Sequence, residues 1–196
     1  MLATLILLFT VAMSTDHQLW QTLRENYLGL RSLSGSFEQL VQTDTEADRR
    51  FVGSFWTILP DRYRLEVSEP EQQLMVAGDS LLWFYFPTES RAVREAQPRA
   101  MPLLAFLEPV LDSSSEVRFE ADQDGQRVVV VEPADEMATI QNLRLELSPD
   151  GRRIDAFDFS DPWGNQYRFL LKFQVWNPDL PAELFEFTPP PGTNLE

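Results

Sequence analysis

Arg62-Tyr63-Arg64-Leu65-Glu66-Val67 (residues 62–67) alternates polar and apolar side chains without an exception. That period of two puts one face of a β-strand in water and the other against a core. Pro60-Asp61 before the run and Glu69-Pro70 after it are turn signals that bound it. Working outward, residues 49–58 read as a strand. It is reached through a polar hairpin at residues 43–48 from a segment in which Phe37, Gln39 and Val41 alternate with Ser36, Glu38 and Leu40. On the other side, residues 72–77 and 81–86 flank Gly78-Asp79, a hairpin signal. The second of these, Leu81-Leu82-Trp83-Phe84-Tyr85-Phe86, is apolar at every position, so both of its faces need covering. Further strands are expected near residues 90–95, 115–121, 126–132, 140–147, 152–159, 165–176 and 184–187, parted by Asp124-Gly125, Asp150-Gly151 and Trp163-Gly164-Asn165. In the longest of them the alternation puts Tyr167, Phe169, Leu171, Phe173 and Val175 on one side. The total is about eleven or twelve strands.

Two segments break the pattern. After Asp16, a residue suited to an N-cap, Leu19, Trp20, Leu23, Tyr27 and Leu30 recur at helical spacing until Ser34-Gly35, which reads as one amphipathic helix. Residues 100–111 are apolar on nearly every side, with Pro102 suited to start a helix and Pro109 to stop it. A helix of about two turns cannot stand alone in water and depends on docking against the sheet. It is either a permanent plug or a movable lid, and Trp56, Leu65, Trp83 and Tyr85 either line a cavity or fill one. Many sequential strands, one leading helix and no internal repeat or linker imply a single mainly β domain built as a strongly curved antiparallel sheet or partly open barrel. The apolar run Leu2 to Val11, followed by Ala12-Met13-Ser14, makes residues 1–14 read as a cleaved export leader. The run lacks the usual preceding basic residue, and a buried N-terminal strand is the alternative. Residues 15–196 would then form the domain.

The chain is 43% hydrophobic and 12% aromatic, enough for a sizeable core, and carries 31 acidic residues against 16 Lys and Arg, a net charge of −15. This balance argues against a nucleic-acid partner and against adsorption to anionic headgroups. Any dealing with a membrane must work through apolar contact or through a basic protein partner. Without Cys there are no disulfides, thiol nucleophiles or lipid-modified cysteines. His17 is the sole histidine, so His-based triads, ordinary zinc sites and haem ligation are out of reach. Neither of the common nucleotide-binding glycine loops occurs. Asp122-Gln123-Asp124-Gly125 begins like a calcium loop but lacks the later acids, and reads as a hairpin turn. No catalytic residue, metal or cofactor is assigned, and the chain reads as something other than an enzyme.

Several blocks follow one another across residues 19–192: Ser34-Gly35-Ser36-Phe37-Glu38-Gln39, Gly53-Ser54-Phe55-Trp56 closing on Leu59-Pro60, Tyr63-Arg64-Leu65 with Glu69-Pro70, Leu74-Met75-Val76-Ala77-Gly78-Asp79-Ser80-Leu81-Leu82-Trp83-Phe84-Tyr85, and Phe185-Glu186-Phe187-Thr188-Pro189-Pro190-Pro191-Gly192. In order and spacing they resemble the LolA family, periplasmic carriers of outer-membrane lipoproteins. The resemblance implies an incomplete antiparallel β-barrel of about eleven strands, with a leading amphipathic helix and a short apolar lid helix, enclosing a hydrophobic cavity. It implies a periplasmic monomer that takes acylated lipoproteins from an inner-membrane ABC lipoprotein-releasing transporter and passes them to an outer-membrane lipoprotein receptor. Alternation and the family match together suggest Phe37, Trp56, Leu65, Leu74, Val76, Trp83, Tyr85 and Val93 as cavity residues. Pro102, Leu103, Leu104, Phe106 and Leu107 fall in the lid, which favours the movable reading of that segment. Many members carry Arg before the proline that ends the second strand, where it ties down the lid. Here that position is Leu59, and an apolar contact is expected to close a more loosely held lid. The alternative use of the same fold is a periplasmic sensor of lipid or lipoprotein that regulates a partner.

Overall fold

The computed structural model describes residues 16–78, 81–96, 102–104, 106–121, 126–132 and 140–196. The expected leader and the Asp122–Gly125 turn lie outside the described residues. Helix α1 covers residues 16–28. Its apolar stripe of Trp20, Leu23 and Tyr27 is buried together with Leu30. The helix ends at Gly29 rather than at Ser34-Gly35, because Arg31 and Ser32 already turn their amides to the Asn177 side chain and the chain enters a strand. Gly35 therefore sits inside the sheet. A Cβ there would come within 2.8 Å of the Lys172 carbonyl oxygen and 3.1 Å of the Phe55 ring, so close approach rather than a turn explains this glycine.

The strands are β1 (Ser32–Gln42), β2 (Arg49–Ile58), β3 (Arg62–Glu69), β4 (Gln73–Gly78), β5 (Leu81–Phe86), β6 (Arg91–Ala96), β7 (Glu116–Ala121), β8 (Arg127–Glu132), β9 (Gln141–Leu147), β10 (Ile154–Ser160), β11 (Gln166–Trp176) and β12 (Asn194–Leu195). They join in one sheet of order β12-β6-β5-β4-β3-β2-β1-β11-β10-β9-β8-β7. Every pairing is antiparallel except that of β12 with β6, and β7 and β12 are its two free edges among the described residues. The sheet is open. Its inner face receives α1 and a second short helix, α2 (Leu107–Leu111), and the core lies between these helices and the sheet.

Three expectations are corrected. First, β11 carries a bulge opposite the Ser34/Ser36 step of β1, with Phe173 at φ 53°. The extra residue reverses the alternation beyond it, so Phe173 and Val175 point to water, 85% and 53% exposed, while Trp176 packs against the core. Second, residues 184–187 add no strand. A 3-10 turn, Ala182–Phe185, leads into an extended segment, and the twelfth strand is Asn194–Leu195. Third, Pro109 does not stop the apolar helix but lies within its first turn, where its missing N–H has no partner to lose. Pro102 instead opens a separate 3-10 turn, Pro102–Leu104.

Candidate functional site

Directly opposed residues in an antiparallel sheet share a face, so the register shows which side chains the helices cover. Across β2 to β6, Phe55, Leu65, Met75, Phe84 and Val93 form one row on the inner face. Across β7 to β11 the corresponding row is Phe119, Val129, Leu145, Phe157 and Phe169. Phe37 belongs to the same face, and its ring occupies the space a side chain at Gly53 would need, 2.7 Å from where that Cβ would stand. Among the eight cavity candidates, the structure therefore places Phe37, Leu65 and Val93 inside.

Trp56, Leu74, Val76, Trp83 and Tyr85 stand on the outer face. Trp56, Arg64, Val76, Trp83 and Arg94 are opposed in turn across β2 to β6, and Leu74 is opposed to Tyr85. This part of the outer face is covered by the C-terminal segment. The Phe187 ring lies 5.8 Å from Trp83 and 5.4 Å from Tyr85, and the Leu184 carbonyl accepts from the Arg64 guanidinium. A Cβ on Gly78 would come within 2.8 Å of the Phe185 carbonyl oxygen. Trp83 and Tyr85, the half-buried aromatic side chains that β5 turns outward, are thus covered by a strap. Alternation could not reveal this, because β5 is apolar on both faces.

The short apolar segment fills the inner face. Leu103, Leu104, Phe106, Leu107 and Val110 are all buried in the common core, and Phe106 makes ring contacts with Tyr27 of α1 at 5.7 Å and Phe157 of β10 at 4.8 Å. From Phe157 an aromatic ladder continues along the sheet. Phe157 stacks on Phe169 at 4.7 Å and 11°, and Phe159 stacks on Tyr167 at 4.9 Å and 14°. The inner end of the ladder is buried, whereas Phe159 and Tyr167 at its outer end are only half-buried. At that end the Tyr167 hydroxyl donates to Asp161, whose carboxylate also accepts from the Trp163 and Asn165 amides and the Asn165 side chain.

A guanidinium grips the end of this short apolar segment, and it comes from α1. Arg24 donates from Nε to the Val110 carbonyl at 3.0 Å and from Nη2 to the Leu111 carbonyl at 2.9 Å. These are carbonyls of the last turn of α2, which have no partner within so short a helix and stand at the negative end of its dipole. Leu59 is half-buried against the core that contains the lid residues, and its amide donates to the Arg31 carbonyl. An apolar contact is therefore not the only thing that holds the segment. The sequence carries a signal for Arg24: it falls within the stripe of Trp20, Leu23 and Tyr27, where a charged residue needs a buried acceptor. The ladder of Phe157, Phe159, Phe169 and Tyr167 was missed as a site because its alternation marks only a core face.

Two open depressions of about 310 and 290 Å³ lie on the outer face, beside Ser54, Arg64, Glu66 and Tyr85 in one case and beside Arg144, Asp158 and Arg168 in the other. Among the described residues no group of three His, Asp or Glu side chains is placed to hold a metal. The remaining candidate is the inner face itself, an apolar surface covered by a short helix whose polar tether is two hydrogen bonds.

Comparison with known proteins gives this chain a family. The family described as outer membrane lipoprotein carrier protein LolA matches residues 29–188. An outer-membrane lipoprotein carrier protein of Xanthomonas campestris pv. campestris is 30% identical over 179 residues, covering 85% of this chain and 82% of that one. Its counterpart from Neisseria meningitidis serogroup B is 25% identical over 167 residues, covering 83% and 79%. In fold, the chain resembles an uncharacterized conserved protein from Thermus thermophilus, with a TM-score of 0.55 at 12% identity over 93% of this chain and 98% of that one. Sequence blocks, open sheet and homologues agree: the chain belongs to the LolA family of outer membrane lipoprotein carrier proteins.

Proposed function

We propose that the inner face shields the acyl chains of lipoproteins in the periplasm, with residues 102–111 as a lid that the cargo displaces. The observation that carries this reading is the aromatic ladder from Phe106 in the lid to Tyr167 at the rim, a continuous apolar surface buried at the Phe106 end and half-buried at the rim. Burying five lid side chains contributes on the order of 10 kcal/mol at about 2 kcal/mol each. One long acyl chain removed from water contributes a similar amount at about 0.8 kcal/mol per methylene. The lid thus offsets about one acyl chain, so a cargo with three chains can displace it, and the returning lid lowers the cost of release.

Cargo enters when the Arg24 hydrogen bonds part and the lid lifts. Arg24 supplies the grip that many relatives place before the second-strand proline, where this chain has Leu59. With no nucleotide-binding loop of its own, the carrier is loaded by an inner-membrane ABC lipoprotein-releasing transporter and emptied by an outer-membrane receptor of greater lipid affinity. The net charge of −15 keeps it off anionic bilayers and steers it to basic partner faces. Residues 1–14 act as the export leader. In this scheme Phe37, Leu65 and Val93 contact cargo, and Trp83 and Tyr85 on the outer face hold the strap.

The test is reconstitution with a triacylated lipoprotein and its deacylated form. The expected result is a soluble one-to-one complex with the acylated form alone, surrendered on addition of a receptor. A complex that needs the peptide but not the acyl chains would sink the reading.

A further inference from the structure

Within the apolar interior one hydroxyl stands out. Tyr63 is 3% exposed, lies on the inner face of β3 and belongs to the same core as Leu103, Leu104, Phe106 and Leu107, yet its hydroxyl has no hydrogen-bond partner. Neither residue opposite it is a partner: the Thr57 hydroxyl donates to the Arg62 carbonyl and makes no bond to the phenol, and the Ala77 side chain has no polar group. Burial without a compensating donor pushes the phenol up to about 12, so it stays protonated and able to donate. A second unpaired donor, the buried indole Nε1 of Trp176, lies in the same transverse row, since Trp176 is opposed to Leu33, Leu33 to Thr57 and Thr57 to Tyr63.

A core built from apolar side chains has no structural use for two unpaired donors, each of which costs stability. A phenylalanine would fill the Tyr63 position as well. The group that would satisfy these donors must be an acceptor, must be neutral, since an ion is costly among Leu and Phe, and must be attached to hydrocarbon. We propose that Tyr63 is the polar anchor of the cargo site and receives the carbonyl oxygen of an ester or amide that heads an acyl chain, while Trp176, three strands away in the same row, is the donor to a second such carbonyl. The inference rests on the carrier reading and specifies its ligand: a carbonyl-linked chain is told apart from a plain hydrocarbon by a hydrogen bond made only when cargo is present.

The experiment compares diacyl glycerolipids with dialkyl ether analogues of equal chain length, which lack the carbonyls, on the full chain and on Tyr63→Phe. Wild type is expected to prefer the ester lipid. Tyr63→Phe should lose about tenfold in ester affinity and nothing in ether affinity, while its denaturant midpoint stays at or above that of wild type. Trp176→Phe should show the same ester-specific loss. Equal losses on both lipids, no loss on either, or a lowered midpoint for Tyr63→Phe would overturn the anchor while leaving the carrier reading standing. Wild type that binds neither lipid would overturn the carrier reading and the anchor with it.

Discussion

Single residues set how tightly this molecule closes. Arg24 ties α2 through two carbonyls that nothing else in the helix can satisfy. Replacing it with Gln removes the charge and the fork geometry. The expected outcome is about tenfold faster amide exchange in residues 107–111 and faster uptake of acylated cargo, with exchange in β1 and β11 unchanged. Unchanged exchange in α2 would show that apolar packing alone holds the lid. Gly53 acts the other way, by omission. A Cβ there would meet the Glu66 carbonyl oxygen and the Phe37 ring, and the carbonyl belongs to the paired strand and cannot yield. Gly53→Ala should therefore cost about 3 kcal/mol, read as a fall in denaturant midpoint. Phe37→Leu in the same chain should recover only the part due to the ring.

Among the elements, the β10–β11 turn is the most strongly organised by one side chain. Burial on its own would raise the Asp161 carboxyl, but the donors from Asn165, Tyr167 and Trp163 outweigh it and hold the group below the usual carboxylate range. A carboxyl depressed in the folded state contributes stability that is present above its unfolded value, near 4, and is lost as pH falls through the lower folded value. Asp161→Asn should accordingly cost about 2 kcal/mol at pH 7. Denaturant midpoints of the variant and wild type should converge as pH falls through that lowered folded value. A gap that stayed constant with pH would mean that the charge contributes nothing. The turn holds Trp163 85% exposed at the rim where the half-buried end of the ladder emerges.

For the whole molecule, the proposed steering of this acidic carrier to basic partners predicts slower association as salt rises, because screening shortens the reach of its charge to about 8 Å at physiological ionic strength. Stopped-flow handover to a receptor should slow by about tenfold between 50 and 500 mM NaCl, with the loaded complex itself unaffected. A salt-independent rate would remove charge from the encounter.

The residues themselves determined the fold class. Period-two runs bounded by Gly and Pro announced the strands, the stripe of Trp20, Leu23, Tyr27 and Leu30 announced α1, and a single His with neither Cys nor a nucleotide-binding glycine loop pointed away from catalysis. Local patterns of this kind survive in any packing, because alternation follows from backbone geometry alone. What only the tertiary structure decided is which face is inner. Trp83 and Tyr85 pack under the C-terminal strap, and Phe84 between them turns toward the core. A strand apolar on both faces has no parity to read. Likewise the bulge at Phe173, the grip of Arg24 on a helix 86 residues away and the unpaired Tyr63 hydroxyl each depend on segments that meet only when the sheet is assembled.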